Sequence, residues 1–384
     1  MEIYLCLSLF LAGAGGYLCM SRPAPWKRPL FWGLAFLALT LVSGLREGIG
    51  YDYDTYAQYY ELLSREGVGA FFRENPRMEP GLFFLMVPFS WFTSDPRWMF
   101  LGLAAVSSGL LLEFVRRNVP ERYEWVAVYA YVTLTFFYGS MNLMRQSMAA
   151  LIALYAIPFV LKRRPLPFFA VVLLAAFFHR TALILLPFYW ILNLPFRRWT
   201  PAAYLAGGTI LYFAVTPILR RVTGWVYSYY SVSLSIYMKP GGAVYLILPS
   251  LLAAVFLLCA APFLEKKENN KIFLHFVLWT LLFYVLMTRH YIMERLALYF
   301  FLPLIWGIPE LLSALTPPKA APIRQRKFFL FMAGVFLAVC LGYQVFAGVR
   351  GFHGVIPYKS IFSGGIRVEA VLSEGFEKTF YRDT

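Results

Sequence analysis

The sequence is poor in charge and has no polar stretch long enough for a soluble domain. Asp, Glu, Lys and Arg make up 14% of its 384 residues, against about 25% in a soluble domain, so a large water-exposed domain is excluded. Acidic residues are the scarcer sign, 20 against 35 Lys and Arg. The resulting excess of +15 is not gathered into a basic block but scattered in short clusters between apolar runs. That distribution argues against nucleic acid as a partner and for topology signals beside anionic lipid headgroups. The four cysteines (Cys6, Cys19, Cys259 and Cys340) lie in apolar runs with no metal-ligand spacing. Neither a disulfide scaffold nor a zinc site is expected from them. There is no P-loop, no Rossmann glycine fingerprint, no GxSxG elbow and no HExxH helix. The commonest nucleotide-binding and hydrolytic sites are thereby removed. Internal repeats and low-complexity tracts are also missing, and the run at 3–20 has neither a basic leader nor a cleavage site. It reads as a retained helix.

What is present is hydrophobic sequence. Hydrophobic residues reach 60% and mean hydropathy is +0.62. The chain reads as about 11–13 apolar segments, which predicts an all-α, polytopic transmembrane helical bundle forming one membrane domain over residues 1–384. An aromatic share of 19% fits belts of Trp and Tyr at the two interfaces. The basic clusters at 22–28, 116–122, 162–164, 197–198, 266–271 and 324–327 are expected on the cytoplasmic side. Residues 46–80 and 218–242 then become extracytoplasmic loops, and 350–384 an extracytoplasmic tail. A surface helix is predicted over Tyr56 to Phe72. One stretch conflicts with this alternation. Two apolar pieces, Leu82–Phe92 and Trp98–Val115, lie where the basic loops allow only an odd number of crossings. Leu82–Phe92 is too short to span, so it is expected to be re-entrant or interfacial.

The polar residues that interrupt this pattern form four islands. The first is Leu45-Arg46-Glu47-Gly48-Ile49-Gly50-Tyr51-Asp52-Tyr53-Asp54, whose glycines allow tight turns and close approach to a ligand. The others are Asn142-Leu143-Met144-Arg145-Gln146, His179-Arg180-Thr181, and Arg289-His290 with Arg295. An ionisable residue within or against a membrane segment is expensive and marks a candidate site. Arg46, Arg145, Arg180, Arg289 and Arg295 converge on the outer face in this topology and are expected to clamp a diphosphate by bidentate hydrogen bonds. Asn142, Arg145 and Gln146, at i, i+3 and i+4, are expected on one helical face turned toward a cavity. His179 is the leading candidate for a general base, with Glu79 and Asp52 as rivals. Asp52 and Asp54 also have the spacing of a weak divalent-metal site, although no metal is required by the rest of the pattern. His275 and His353 read as structural.

These same residues resemble the EpsG family of bacterial exopolysaccharide membrane proteins. The likeness is carried by Arg46-x-Gly48-x-Gly50-Tyr51-Asp52, Met141-Asn142-x-x-Arg145-Gln146-x-x-Ala149, Phe178-His179-x-Thr181-Ala182-Leu183 and Arg295-x-x-x-Tyr299-Phe300, in order from about residue 40 to residue 305. Arg180 stands where the pattern has a small or polar residue. The resemblance implies a Wzy-like polysaccharide polymerase, GT-C-like in architecture, in the bacterial inner membrane. It would join oligosaccharides linked to a polyprenyl diphosphate on the extracytoplasmic side, during exopolysaccharide or capsule synthesis. A flippase and a chain-length regulator are its implied partners. By the motif match Arg46, Arg145, Gln146, His179 and Arg295 carry over as site residues.

The reaction expected is inverting glycosyl transfer, with the arginines offsetting the charge of the diphosphate leaving group. Asp54, Tyr51 and Tyr53, with Tyr229 and Tyr230, are expected to hold the acceptor sugar. Two alternatives use the same residues differently. A membrane O-acyltransferase would employ His179 as base, and a flippase of lipid-linked oligosaccharide would need a basic cavity open to both faces.

Overall fold

The computed structural model describes residues 1–22, 24–75, 78–226, 268–318 and 320–363. Tyr229, Tyr230, Cys259, most of the 218–242 loop, the apolar run at 243–263 and the tail beyond 363 lie outside the described residues. Those described are helical, with no β-strand among them beyond one isolated bridge between Arg46 and Ser360. Seven of the described helices are long and apolar enough to cross a membrane. The chain is a multi-pass helical membrane protein.

Helices α1 (Glu2–Met20) and α2 (Lys27–Gly44) form the first hairpin. Next come α3 (Tyr53–Glu74), α4 (Gly81–Ser90) and α5 (Pro96–Asn118). Asp95 caps α5 by accepting from the Arg97 amide at 3.0 Å, Pro96 opens it, and Arg116 and Arg117 close it against the helix dipole. α5 packs along α2. Gly44 makes that approach possible, since a Cβ there would lie 2.7 Å from the Leu101 Cα.

Three ion pairs fix the ends of the α2–α5 pair. Glu47 meets Arg97 at 2.7 Å at one end. At the other, Arg28 meets Glu121 at 2.7 Å and the fully buried Glu124 at 2.6 Å. Residues 46–95 therefore leave and rejoin the α2–α5 pair at the same end. The ten residues of α4 extend about 15 Å, half of a hydrocarbon core of about 30 Å. The parity conflict in the sequence disappears because α4 does not cross.

The centre of the bundle is built by α6 (Glu124–Thr133), α7 (Phe136–Asn142) and α8 (Met144–Leu154), where every residue of α6 is buried. A left-handed Thr135 (φ 67°) separates α6 from α7, and Leu143 (ψ 57°) separates α7 from α8. The expected single helical face for Asn142, Arg145 and Gln146 is thus broken, with Asn142 ending one helix and Arg145 and Gln146 opening the next. The break frees the Met141 carbonyl, which accepts from Arg46 Nη2 at 3.1 Å.

Around this core stand α9 (Ile157–Leu161), α10 (Pro165–Phe178), α11 (Phe188–Leu192) and α12 (Thr200–Val226). They are followed by α13 (Glu268–Arg289), α14 (Met293–Phe301), α15 (Leu304–Leu315) and α16 (Ile323–Val349). Tyr204 bonds His275 and Thr216 bonds His290, so α12 and α13 run parallel. After α16 the chain folds back over the Leu45–Asp52 loop as a strap. Ile361 and Glu47 donate their amides to Leu45 and Lys359 carbonyls, Gly50 donates to Gly354, and Tyr358 reaches the Val42 carbonyl.

Candidate functional site

The polar islands meet at one end of the bundle through direct contacts. The Asp52 amide donates to Asn142 Oδ1 at 3.1 Å. Arg145 Nη1 meets Glu79 Oε2 at 2.5 Å, and the Arg180 amide donates to Glu79 Oε1 at 3.3 Å. Gln146 Nε2 donates to the Arg295 carbonyl. His179 Nδ1 lies 2.6 Å from Thr181 Oγ1, which in turn is 2.9 Å from the Tyr299 hydroxyl. Loops and helix ends from 46–52, 78–81, 142–146, 179–181 and 290–299 are thus assembled side by side.

Gly50 permits one of these close approaches. Its φ is +93°, and a Cβ there would sit 2.9 Å from the Met141 carbonyl oxygen. This brings Asp52 to the α7–α8 break. Asp52 precedes α3 in the N-cap position, yet its carboxylate does not cap the helix. A side chain of the preferred capping type thus leaves its local partner and faces the charges of Arg295, Arg145 and His353.

The three carboxylate and imidazole candidates differ in protonation. Burial pushes the Asp52 carboxyl above the usual Asp range, against the pull of Arg295, Arg145 and His353. Burial works in the same direction on Glu79, but there the neighbouring His179 and Arg145, with the Arg180 amide, prevail and hold it below the usual Glu range. Burial pushes His179 down to about 3 despite neighbouring Glu79, so the imidazole is neutral at pH 7. With His179 neutral, Arg145 is the charge that keeps Glu79 ionised.

Several residues expected in the site do other things. Arg46 is 1% exposed. Its guanidinium donates to the Ser43 and Met141 carbonyls and lies 4.7 Å from the Phe100 ring centroid. Burial lowers its pKa to about 10, so it stays charged at neutral pH. This arginine ties α2 to α7 and has no open face for a diphosphate. Tyr53 stacks on Phe100 at 4.3 Å and is closed to solvent. Tyr51 is exposed but spans to the strap, with its hydroxyl 3.2 Å from the Gly351 carbonyl. Asp54 is exposed in the first turn of α3, apart in burial from Asp52. Among the described residues no three His, Cys, Asp or Glu side chains gather as metal ligands. Arg289 turns to α12, with Nε bonded to Thr216 at 3.1 Å and Nη1 to the Tyr212 carbonyl at 2.9 Å.

One participant is new. His353, on the strap, lies 3.5 Å from Asn142 Nδ2 and faces the carboxylates of Asp52 and Glu294. Sequence reading placed it in a tail. Its only signal is the pair of glycines in Gly351-Phe352-His353-Gly354, both at positive φ.

A membrane-embedded bundle with an arginine–carboxylate cluster at one end is the class this geometry defines. A model of the EpsG family matches residues 30–360, a range that takes in every island and the strap as far as Ser360. The chain belongs to the EpsG family. No curated protein and no solved structure matches it.

Proposed function

We propose that the protein is a polysaccharide polymerase that joins lipid-diphosphate-linked oligosaccharide units during bacterial exopolysaccharide or capsule synthesis, with a GT-C-like mode of action. Family membership supports an exopolysaccharide-related polymerase. The observation that carries the reaction is the Arg145–Glu79 pair beside an Asp52 carboxylate that caps nothing.

In this reading Arg145 and Arg295 receive the diphosphate of the donor and offset the charge that grows as it leaves. Arg180 and Asn142 support them, whereas the Gln146 amide is taken up by the Arg295 carbonyl and Arg46 and Arg289 hold the frame. The acceptor hydroxyl oxygen bonds to the anomeric carbon from the opposite face. The bond from that carbon to the diphosphate oxygen breaks, its electron pair leaves with the diphosphate, and configuration inverts. The hydroxyl proton passes to Asp52, whose raised pKa makes it the best base of the three. Glu79 is occupied by Arg145 and the Arg180 amide. His179 is the weaker base when buried and is engaged with Thr181, which weighs against an O-acyltransferase built on that histidine. A flippase reading loses force because the cluster lies at one end of the bundle.

We assign the site to the extracytoplasmic side of the inner membrane because it lies opposite the basic ends of α2 and α5. A flippase that delivers the donor and a chain-length regulator complete the system.

The test is incubation of purified protein with a synthetic polyprenyl-diphosphate repeat unit. A ladder of products is expected from the parent protein, with and without chelator. Asp52→Asn is expected to bind donor but to make no ladder. No ladder from the parent protein refutes the reading, and recovery that depends on added magnesium reassigns Asp52 and Asp54 to metal binding.

A further inference from the structure

A cavity of about 60 Å³ lies between the α7–α8 break, α13, α14, α16 and the strap. Its polar side is made by Gln146, Glu294, Arg295 and His353, and Phe301 and Phe352 form apolar walls. A volume of that size holds several waters or the hydroxyl edge of a ring.

Gln146 is 2% exposed. Its Nε2 donates to the Arg295 carbonyl, a group that only accepts, so the orientation of the amide is fixed by chemistry. Gln146 Oε1 is therefore the free end of the amide, buried beside the cavity that Gln146 lines, and it has no hydrogen-bond partner. A buried carbonyl oxygen without a donor calls for an O–H or N–H from whatever enters. Glu294 adds a second acceptor on the same wall. His353 is held at φ 62° between two glycines and is fixed by Asn142. Paired acceptors with aromatic walls and one arginine suit a neutral polyhydroxyl ring better than a phosphate. The guanidinium of Arg145, by contrast, is turned to Glu79.

We infer that this cavity is the subsite for the acceptor sugar: ring hydroxyls donate to Gln146 Oε1 and Glu294, the ring face rests on Phe301 and Phe352, and the 351–354 turn of the strap completes the wall. This rests on the polymerase reading and extends it to the substrate end that carries no phosphate. It also gives the strap a binding role and replaces Tyr53 and Asp54 as the expected sugar contacts.

The probe is a single repeat-unit oligosaccharide cut from the host cell's own polysaccharide, free of lipid and phosphate. Binding to the full-length protein in nanodiscs is followed by saturation-transfer NMR. Polymerisation is followed in parallel with the lipid-diphosphate unit. The parent protein is expected to bind the free oligosaccharide at millimolar concentration. Gln146→Leu and His353→Asn are each expected to weaken that binding at least tenfold, while donor KM changes less than twofold. Gln146 sits in the core and its variant can fail to fold. His353→Asn, on the strap, keeps a donor and small size and supplies the second measurement.

Oligosaccharide binding that is unchanged in both variants overturns the subsite, as does an equal loss of donor and acceptor binding. If the parent protein binds no free oligosaccharide and both variants polymerise at its rate, the cavity holds water only. If the parent makes no ladder yet binds oligosaccharide through Gln146 and His353, the polymerase reading fails and the sugar site stands.

Discussion

Replacing Arg145 by lysine separates charge from geometry at the centre of the site. Glu79 has 4% of its side chain exposed and Arg145 25%. Removing the arginine outright leaves a buried carboxylate uncompensated, at a cost of about 3–5 kcal/mol. Arg145→Lys keeps the positive charge, so Glu79 retains a partner. It gives up a contact with Tyr56 that at 3.4 Å is already long, and folding should change by about 1 kcal/mol or less. What is lost, on the proposed reading, is the planar fork for two phosphate oxygens at once. Loss of one such transition-state contact costs about 10²–10³ in rate. The variant should therefore reach the membrane in parental amounts, run as the same species on size exclusion, and yield a ladder at least a hundredfold more slowly. Arg145→Ala should in contrast lose folded protein. Parental ladder formation by Arg145→Lys, at equal folded amounts, refutes the diphosphate clamp. A fall in folded protein that matches the fall in rate reduces the residue to a structural partner of Glu79.

Three other outcomes are expected. His179 holds fewer protons folded than unfolded, because its pKa falls from 6.5 to about 3; its contribution is intact above about pH 6.5 and is lost as pH drops. Parent stability should decline by about 2 kcal/mol from pH 6.5 to pH 5 through this group. His179→Gln should flatten that part of the melting-temperature profile with a modest change in rate, and an unchanged slope would show that the imidazole is already charged. Gly50→Ala forces a side chain into φ +93° and against the Met141 carbonyl. It should cost about 1–3 kcal/mol and most of the activity, whereas Gly48→Ala, with no atom within 4 Å of its Cβ, should lose less. Equal melting temperatures for the two would remove the close-approach argument. A cysteine at exposed Glu66, in a background without native cysteines, should react with an impermeant maleimide on intact cells. Reaction only after lysis would invert the topology.

Much of the frame was legible because membrane constraints act locally. The apolar runs and basic clusters gave the helices, and the shortness of Leu82–Phe92 gave a non-crossing α4. The islands were legible as a set because ionisable residues beside apolar runs are costly. Their individual roles were not. Arg46 and Arg145 look alike in sequence, and only the burial of one against Phe100 and the pairing of the other with Glu79 tell them apart. The i, i+3, i+4 face failed because nothing in Asn142-Leu143-Met144 announces a break, which depends on a carbonyl captured by Arg46. His353 was invisible for a similar reason: its place is set by pairing between residues some 300 positions away.

That pairing also bears on how the protein is made. The Leu45–Asp52 loop is synthesised early, and the strap that covers it follows every described membrane-crossing helix. Ser360 bonds beside Arg46 only when the last helix, α16, is in place. During insertion the arginine cluster and the cavity therefore exist without their final wall. A chain released after α15 would hold Arg145 and Glu79 but lack His353. The wall of the site is thus finished only with the finished bundle.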